Sequence, residues 1–481
     1  MTDLDSIEFD PANTVLTAID PEQPDRTERI GGRYGLPYLK AFLEDINFRH
    51  SDGEERYGRQ YQREVIRQKG LAIRSPVSGL RICSNRSLAV QGKVFFYFGE
   101  RVQYFVISST INLAYPLSAL FLPGKNLLLS WSLIRHPKLL IRHLGDLLQR
   151  RSEPVSPVEN VTPVILMGHR NFAHHLWNEL SAVERLVKEV LAPPFPELWL
   201  AREPLGRTEA IFPEIADWRL RRLGDRKSLS ANDPQKLFVN LAASHISTEL
   251  RARLAVHASS ACTAHTKALA DRIREFSPPA FWLSVRTQNP TFIDQRQTLT
   301  AIAAAILTSY PRCAIIFDGF SLPQDWEATD QKMRAFYQDS AQSAKREIET
   351  IIGGLRQVCP PGPGQFLVNA GGHSILDSIV LAHLADAYFC HQGTVQHKIA
   401  WTANKPGIIH APSAMLGTNL LERHGSCLDD PAWPTALDPA MVADLSGRKQ
   451  TNYRAVDQLA LAEFVLGYFK RCISPGQAGR P

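Results

Sequence analysis

From about residue 156 onward, short apolar runs alternate with segments whose apolar residues recur at helical spacing. The apolar runs are PVILMG at 163–168, ELWLA at 197–201, KLFVNLA at 236–242, AFWLSV at 280–285, CAIIFDG at 313–319, QFLVNAG at 365–371, DAYFCHQG at 386–393 and PGIIHAP at 406–412. Nearly continuous apolar strands separated by helices are typical of parallel sheets covered on both faces. The alternation therefore predicts an α/β fold.

There are too many such strand–helix units for one compact sheet, and 481 residues are enough for two or three domains. A break at FSPPA, residues 276–280, separates two groups of units. We therefore expect two Rossmann-like domains with a boundary near 275–282. The predicted division is a loosely ordered lead-in at 1–45, a β-rich element with a basic amphipathic helix at 46–155, an N-terminal Rossmann-like domain at 156–278, a C-terminal one at 279–425, and a helical closure at 426–481.

The β-rich element is predicted from KVFFYFGERVQYFVISS, residues 93–108, which has the pattern of two strands joined at Gly99-Glu100. The apolar segment Ile111–Trp131 follows, and prolines at 116 and 123 interrupt it. A continuous membrane-spanning helix is not expected with those breaks.

The next segment, RHPKLLIRHLGDLLQRR at 135–151, combines a leucine stripe with positive charge. One interpretation is a helix lying on an anionic membrane, so that residues 111–151 make peripheral contact at its inner face. The alternative is a surface helix that packs its leucines on the core and leaves its basic face in solvent.

The charge and cysteine content exclude several classes of protein. A net charge of +6 spread over the chain is too weak a signal for nucleic-acid binding. Seven scattered cysteines without a C-x-x-C pair indicate neither a disulfide framework nor a zinc ribbon. The start, MTDLDSIEFD, lacks the features of a secretory signal, and a cytoplasmic protein is expected.

The stretch GHRNFAHHLWNEL, residues 168–180, places three histidines, two asparagines and a glutamate on one strand-to-helix turn. Ligands of open α/β sheets bind at such carboxyl ends of strands. Helical spacing pairs His174 with Asn178 and His175 with Glu179, and a carboxylate or amide can orient an imidazole that transfers a proton. The alternatives are a metal site, for which the spacing is poor, and a purely structural cluster capped by Asn171.

Three later stretches also place polar groups at the ends of strands. Arg286 in WLSVRTQNP lies in a place suited to phosphate binding, whereas Arg296 is better explained by a surface ion pair. In DAYFCHQGTVQHKIAW, a strand turns at Gly393 into a helix, whose N–H groups could bind phosphate. IIFDGF places Asp318 at another strand end, either as a partner for a sugar hydroxyl or as part of a turn.

The order of these stretches resembles glycosyltransferase family 61, also called the DUF563 group. The resemblance covers roughly residues 160–415 and rests on Asn171 and His174 in NFAHHLWN, Arg286 in LSVR, and Gly393 in HQGTVQHK. The family's aspartate is Asn178 here, and its late-motif histidine is either His391, displaced by one residue, or replaced by Gln392. The resemblance implies a GT-B architecture of two facing Rossmann domains, with no required metal ion.

From the resemblance and the residues together we predict an inverting bacterial glycosyltransferase. It would transfer a sugar from a nucleotide-sugar donor to a glycan or lipid-linked glycan acceptor, in the synthesis of a surface polysaccharide. The catalytic candidates are His174 and, behind it, His175 and Glu179. The candidates for substrate binding are Asn171, Asn178, Arg286, Asp318, His391, Gln392, Gly393, Thr394, His397 and Lys398.

Two other functions remain open at this point. A polysaccharide pyruvyltransferase of the same architecture would also need basic groups for a phosphate-bearing donor. A non-catalytic glycan-binding protein with a decayed site would explain an asparagine in place of the family's aspartate.

Overall fold

The computed structural model describes residues 9–20, 23–46, 53–108, 117–131, 134, 136–149, 161–241, 243–276, 279–288, 291–418, 421, 425, 427–446 and 451–473. Contacts divide the chain into two compact units. The first unit comprises Met1–Glu203 and Phe212–His245, and the second comprises Pro204–Ile211 and Ile246–Pro481.

In its described residues, the first unit contains two main sheets and a hairpin. Its strands are β1 (Val15–Ala18), β2 (Leu71–Arg74), β3 (Arg81–Ser84), β4 (Ser87–Val90), β5 (Lys93–Gly99), β6 (Gln103–Ser108), β7 (Leu117–Leu122), β8 (Leu127–Ser130), β9 (Thr162–Met167), β10 (Glu197–Leu200), β11 (Leu220–Arg222) and β12 (Lys236–Asn240). Its helices are α1 (Pro24–Tyr34), α2 (Leu39–Ile46), α3 (Gly53–Gln68), α4 (Pro137–Gln149), α5 (Phe172–His174) and α6 (Ser181–Glu189), with a π-helical segment, His175–Leu180, between the last two.

The two main sheets of the first unit share a hydrophobic core. A mixed sheet has the strand order β1-β8-β7-β6-β5-β4, and a parallel sheet has the order β11-β10-β9-β12. Phe96 and Val106 of the mixed sheet belong to the same buried cluster as Val164 and Phe238 of the parallel sheet. The predicted hairpin at 93–108 is confirmed as β5 and β6. The β-rich element and the first Rossmann-like sheet therefore form one unit, not the two that the sequence indicates.

The N-terminal segment is ordered where the structure describes it, so the predicted loose lead-in is wrong for those residues. Strand β1 pairs in parallel with β8 at the edge of the mixed sheet. In α2, Leu39, Phe42, Leu43 and Ile46 recur at helical spacing and are buried. The polar average composition of the segment hides this apolar stripe, which is what attaches it to the core.

The apolar run after residue 116 forms two sheet strands. Every residue of β7 is buried, as are Leu127, Leu128 and Leu129 of β8. Residues 111–116 of the predicted segment lie outside the described residues. Among the residues that the structure describes, no helix is long and apolar enough to cross a membrane.

The basic helix α4 turns its apolar stripe inward. Leu140, Ile141 and Leu144 are buried in a cluster with Phe105 and Phe121 of the mixed sheet. Burying each aliphatic side chain in this cluster contributes about 1.5–3 kcal/mol relative to leaving it in water. This packing favours the second interpretation of the sequence, a helix on the core, and membrane contact stays a prediction.

The second unit is built on a six-stranded parallel sheet. Its strands are β13 (Ala280–Ser284), β14 (Cys313–Asp318), β15 (Gln365–Asn369), β16 (Ala387–His391), β17 (Gly407–His410) and β18 (Thr435–Ala436), with a hairpin of β19 (Val442–Asp444) and β20 (Tyr453–Ala455). Its helices are α7 (Thr208–Ile211), α8 (Thr248–Ala261), α9 (Ala264–Phe276), α10 (Gln295–Ser309), α11 (Gln331–Val358), α12 (Ile375–Leu384), α13 (Thr394–His397), α14 (Ser413–Leu416) and α15 (Gln458–Ile473), and a π-helical segment, Lys398–Thr402, follows α13.

The division between the units falls at 245/246, before α8 and α9, whereas the predicted boundary follows them. Both helices pack against α12 of the second unit. The carboxylate of Asp377 in α12 accepts hydrogen bonds from the N–H and hydroxyl of Thr263, between α8 and α9. The contacts that place these helices join residues more than a hundred positions apart. A local break in the strand–helix pattern of the sequence therefore cannot reveal them. The other boundaries of the predicted division stay predictions.

Both parallel sheets reverse their strand order at the first strand. In the first unit β9 lies between β10 and β12, and in the second β13 lies between β14 and β16. Chain connections run to one side of each first strand and then return to its other side. Open α/β sheets bind ligands at the carboxyl ends of the strands at such a reversal. The α/β class predicted from the sequence is confirmed, and the two reversals identify where each sheet positions a site.

Candidate functional sites at the two strand-order reversals

In the first unit, the turn after β9 is held by the carboxylate of Glu179. Its Oε1 accepts a hydrogen bond from the N–H of Gly168 at 2.8 Å, and both oxygens lie 3.2 Å from the amide nitrogen of His169. Its Oε2 lies 2.7 Å from Nδ1 of His175. Burial opposes ionisation of this carboxyl, but the hydrogen bond from His175, the charges of His169 and His175, and the Gly168 N–H outweigh it and lower the pKa of Glu179. Glu179 is thus an ionised anchor for the turn.

His175 and Glu179 are not placed to act on a substrate. Their side chains are 0% and 1% exposed. The sequence predicts both as reserve catalytic groups, but their pairing with each other and with the turn leaves neither at the surface. Their hydrogen bonds join each other and the turn after β9, whereas a proton acceptor has to lie within hydrogen-bond reach of the group it deprotonates.

His174 occupies a different environment, because the residue is partly exposed. Its Nδ1 lies 3.0 Å from Oδ1 of Asn178, and Nδ2 of Asn178 donates to the carbonyl of Ala243 at 2.9 Å. The backbone N–H of Ala243 returns a hydrogen bond to the carbonyl of Asn178. Because Ala243 follows β12 and His174 follows β9, this chain of contacts spans the strand-order reversal.

The same contacts determine the tautomer of His174. An amide nitrogen can only donate, so the bond to the Ala243 carbonyl orients Asn178 with its oxygen toward His174. That oxygen can only accept, so in the neutral form of the imidazole the proton resides on Nδ1. The second ring nitrogen, Nε2, then carries a lone pair, which is the state required of a general base.

Other groups of the same stretch surround this imidazole. The ring of His169 lies 5.0 Å from that of His174, and the indole of Trp177 stacks at 6.3 Å. The side chain of Asn171 accepts from the N–H of Ala173 and caps α5, as the structural alternative predicts. The helix then continues as the π-helical segment that carries His175, Asn178 and Glu179. Such π-helical turns occur frequently at functional sites.

In the second unit, Arg286 follows β13 and His391 ends β16, on opposite sides of the reversal. Nη1 of Arg286 lies 3.0 Å from Nδ1 of His391 and donates to the carbonyl of Gln392 at 3.3 Å. The N–H and carbonyl of Arg286 are both hydrogen-bonded to the side chain of Gln295, which opens α10. Four of the groups predicted from sequence, Arg286 and residues 391–393, are therefore brought together here.

The imidazole of His391 is neutral. Burial, followed by the charge of Arg286, lowers its pKa to about 3, and the carbonyl of Gln392 opposes this only in part. Burial also lowers the pKa of the Arg286 guanidinium, which nevertheless stays in the charged range of arginine. The positive charge in this contact is thus that of the Arg286 guanidinium, and the His391 ring beside it is uncharged.

Gly393 allows the chain to pass close to the guanidinium. Its φ of +113° and ψ of −154° lie in a region open almost only to glycine. Within the described part of the chain, a Cβ built at this position would meet Nη1 of Arg286 at 3.6 Å, an ordinary van der Waals distance. The backbone and the positive charge therefore lie side by side at the surface of the site, an arrangement suited to a phosphate group.

Lys398 and Asp318 are placed differently from their predicted roles. They form a buried ion pair, and Nζ of Lys398 also donates to the carbonyl of Gly319 at 2.6 Å and to the hydroxyl of Ser321 at 2.8 Å. Their side chains are 2% and 0% exposed. The predictions that Lys398 holds a diphosphate and that Asp318 holds a sugar are contradicted, because each group is committed to the other inside the fold.

The remaining predicted residues lie along the same turn. Thr394 begins α13 and is partly exposed. The ring of His397 stacks on the indole of Trp401 at 3.6 Å. Arg296 forms the expected ion pair with Glu347, through two hydrogen bonds of 2.9 and 2.6 Å.

Two residues of this site were missed by sequence reasoning. His410 ends β17 and Tyr453 begins β20, and Nδ1 of His410 lies 2.8 Å from the hydroxyl of Tyr453. Both are buried against His391, with ring centroids 5.6 and 5.8 Å from its own. His410 stands at the end of the strand GIIH, which is the signal that could have found it, whereas TNYRAV around Tyr453 carries no recognisable pattern.

Among the described residues, no group of three or more histidine, cysteine or acidic side chains is arranged to hold a metal ion. The expectation that activity requires no metal stays a prediction, since the described residues alone do not test it.

No protein-family model matches the chain. None of the curated proteins compared with it matches either. The structure is similar to that of a glycosyl transferase of family 9 from Veillonella parvula, with 7% identity, coverage of 58% of this chain and 86% of that chain, and a TM-score of 0.31. It is also similar to ADP-heptose LPS heptosyltransferase II of E. coli, with 10% identity, coverage of 64% and 98%, and a TM-score of 0.30.

A third similar structure is UDP-GlcNAc 2-epimerase from Methanocaldococcus jannaschii, with 14% identity, coverage of 71% and 85%, and a TM-score of 0.27. Identities and TM-scores this low assign neither a family nor an activity. Family 61, to which the sequence motifs are similar, is not among these proteins. The case for a function therefore depends on the two sites themselves.

Proposed function

We propose that this protein is a glycosyltransferase that takes a sugar from a nucleotide-sugar donor. The observation that carries the proposal is the placement of two chemically different sites at equivalent points of two parallel sheets. The reversal in the first unit holds an imidazole, His174, in the tautomer of a general base. The reversal in the second unit holds a guanidinium, Arg286, against a glycine backbone.

A single-displacement transfer requires these two kinds of group. A base removes the proton of the acceptor hydroxyl as that oxygen attacks the sugar, and positive charge stabilises the diphosphate as it leaves. In the proposal His174 is the base, and Arg286 with residues 391–393 binds the diphosphate. An attack of this kind inverts the configuration of the sugar. The acceptor is a glycan, free or lipid-linked.

Asn178 does not weaken this proposal, although an asparagine replaces the aspartate of the family that the sequence resembles. An amide orients the imidazole through its oxygen and simultaneously satisfies the Ala243 carbonyl through its nitrogen. A carboxylate could make only the first of these bonds. The feature that favoured a decayed binding protein is therefore compatible with an active site.

A thermal-shift screen against nucleoside diphosphates and nucleotide sugars tests the proposal. A ligand present at a hundred times its Kd stabilises the folded protein by about 2.7 kcal/mol. We expect at least one nucleotide to raise the melting temperature of the wild type and to have little effect on Arg286→Gln. The control is Arg296→Gln, which removes an exposed, ion-paired arginine from the next helix and should keep the full shift. If no nucleotide stabilises the wild type, or if Arg286→Gln responds as strongly as Arg296→Gln, the proposal fails.

A further inference from the structure

The hairpin of β19 and β20, here called the C-terminal hairpin, lies outside the parallel sheet of the second unit. Its two strands pair with each other in antiparallel register, from Val442 with Ala455 to Asp444 with Tyr453. It carries none of the groups that the proposed reaction requires. Its hydrogen bonds nevertheless lead to both sides of the site around Arg286.

On one side, the C-terminal hairpin fixes the loop that follows β13 and contains the arginine of the site. The side chain of Asn452 accepts from the N–H of Thr291 at 2.9 Å, and the N–H of Tyr453 donates to the carbonyl of Thr291 at 3.2 Å. The carboxylate of Asp294 accepts from the N–H of Ala455, with both oxygens at 3.2 Å.

On the other side, the hairpin fixes the loop that follows β17. The carboxylate of Asp444 accepts from the N–H and the hydroxyl of Ser413, both at 2.8 Å. The hydroxyl of Tyr453 lies 2.8 Å from Nδ1 of His410, the last residue of β17. The hairpin therefore joins two loops that leave the sheet on either side of β16.

Tyr453 is the centre of this connection. Its side chain is fully buried, stacks on Phe292 at 5.1 Å, and lies beside the rings of His391 and His410. The other ring nitrogen of His410, Nε2, is buried, and the described residues offer it no hydrogen-bond partner. Among the described residues, the Tyr453 hydroxyl is thus the group that fixes the orientation of the His410 ring by a hydrogen bond.

The orientation of His410 matters because it supports the ring that contacts the guanidinium. His410 stacks on Phe389 at 4.3 Å and meets His391 edge-on at 5.6 Å. His391 in turn lies 3.0 Å from Nη1 of Arg286. A contact series therefore leads from the hydroxyl of Tyr453, through two imidazoles, to the positive charge of the site.

We propose that Tyr453 is a positioning residue, through which the C-terminal hairpin sets the geometry of the anion site formed by Arg286, His391 and Gly393. The anion is a diphosphate, and this part of the inference rests on the proposed function. The conformation of the two imidazoles does not rest on it and can be measured in the ligand-free protein.

The test compares Tyr453→Phe with the wild type by calorimetric titration of pyrophosphate and of UDP. Phenylalanine keeps the stacking on Phe292 and removes only the hydroxyl. We expect the affinity for both probes to fall by about 2- to 12-fold, the range that one net hydrogen bond is worth. The matched control is Tyr104→Phe, which removes an equally buried hydroxyl, bonded to Glu100, from the first unit and should leave both affinities unchanged.

A second readout follows the ring nitrogens of the histidines in ¹⁵N-labelled protein without ligand. We expect the ring signals of His410 and of His391 in Tyr453→Phe to be displaced from those of the wild type. A folded variant with unchanged His391 signals and unchanged affinities would overturn the positioning role. If the rings change but neither protein binds pyrophosphate or UDP, the positioning role holds for the imidazoles while the diphosphate, and the proposed function with it, is wrong.

Discussion

Asn178→Asp is the substitution that tests most sharply why this chain carries an asparagine at its first site. The amide nitrogen of Asn178 donates to the buried carbonyl of Ala243 at 2.9 Å. A carboxylate has no hydrogen to donate, so the change places two acceptors against each other and adds a charge where the side chain is fully buried. A buried polar group left without its partner costs about 1–3 kcal/mol.

The expected result is a lower melting temperature. In domains of this size 1 kcal/mol corresponds to about 2–4 °C, so Asn178→Asp should melt about 2–12 °C below the wild type at neutral pH. Differential scanning fluorimetry and calorimetry measure this directly. The control is Asn171→Asp, the same chemical change at a helix N-cap, where aspartate serves as well as asparagine and the shift should be small. If Asn178→Asp has the same melting temperature as the wild type, the hydrogen bond from Asn178 to Ala243 does not orient the amide as described. The tautomer deduced for His174 then loses its basis.

Two further predictions concern the second unit. Lys398→Met should destabilise the protein by about 3–5 kcal/mol, because it leaves Asp318 as a buried unpaired charge. The double variant Lys398→Met/Asp318→Leu should recover much of that loss. A single variant that is as stable as the wild type in urea unfolding would contradict the buried ion pair. His391 has its pKa lowered to about 3, so the unfolded chain binds a proton at this residue in a range where the folded protein does not. The free energy of unfolding should therefore fall as the pH is lowered from about 6.5 toward 3. His391→Gln should make the melting temperature less sensitive to pH in that window. An equal pH dependence of the melting temperatures of the two proteins would refute the role given to His391.

The elements of the fold that follow from local pattern are predictable from the sequence. The strands at 162–167, 280–284 and 387–391 are short apolar runs followed by helices, and burial on both faces leaves that signature in any parallel sheet. The extent of the units is not predictable in this way. Helices α8 and α9 belong to the second unit because they pack on α12, and that contact has no local signal.

The same distinction explains the site residues. His174 and Asn178 are four positions apart on a helix, so their contact follows from spacing alone. Lys398 and Asp318 are eighty positions apart and each looked like a ligand group when considered alone. Asp318 ends β14 and Lys398 opens the π-helical segment that follows β16, so they come from the two sides of β13. They pair with each other because a buried charge requires an opposite one.

The role of Tyr453 lies furthest from the reach of sequence reasoning. Its strand of three residues is paired outside the main sheet, and its partner, His410, ends a strand more than forty positions earlier. Neither residue belongs to a motif, and only the folded arrangement brings the hydroxyl against the imidazole.

The central claim is that His174 acts on the acceptor while Arg286 holds the donor, and one comparison tests it most directly. The measurement is the rate at which nucleoside diphosphate is released from the donor identified by the thermal-shift screen, together with the Kd of that donor, for the wild type and His174→Ala. Loss of a general base lowers a rate by about 10²- to 10⁴-fold, so release should fall by that factor while the donor Kd stays close to that of the wild type. A folded His174→Ala protein that releases the nucleotide at a near-normal rate, or one that no longer binds the donor, would contradict the account.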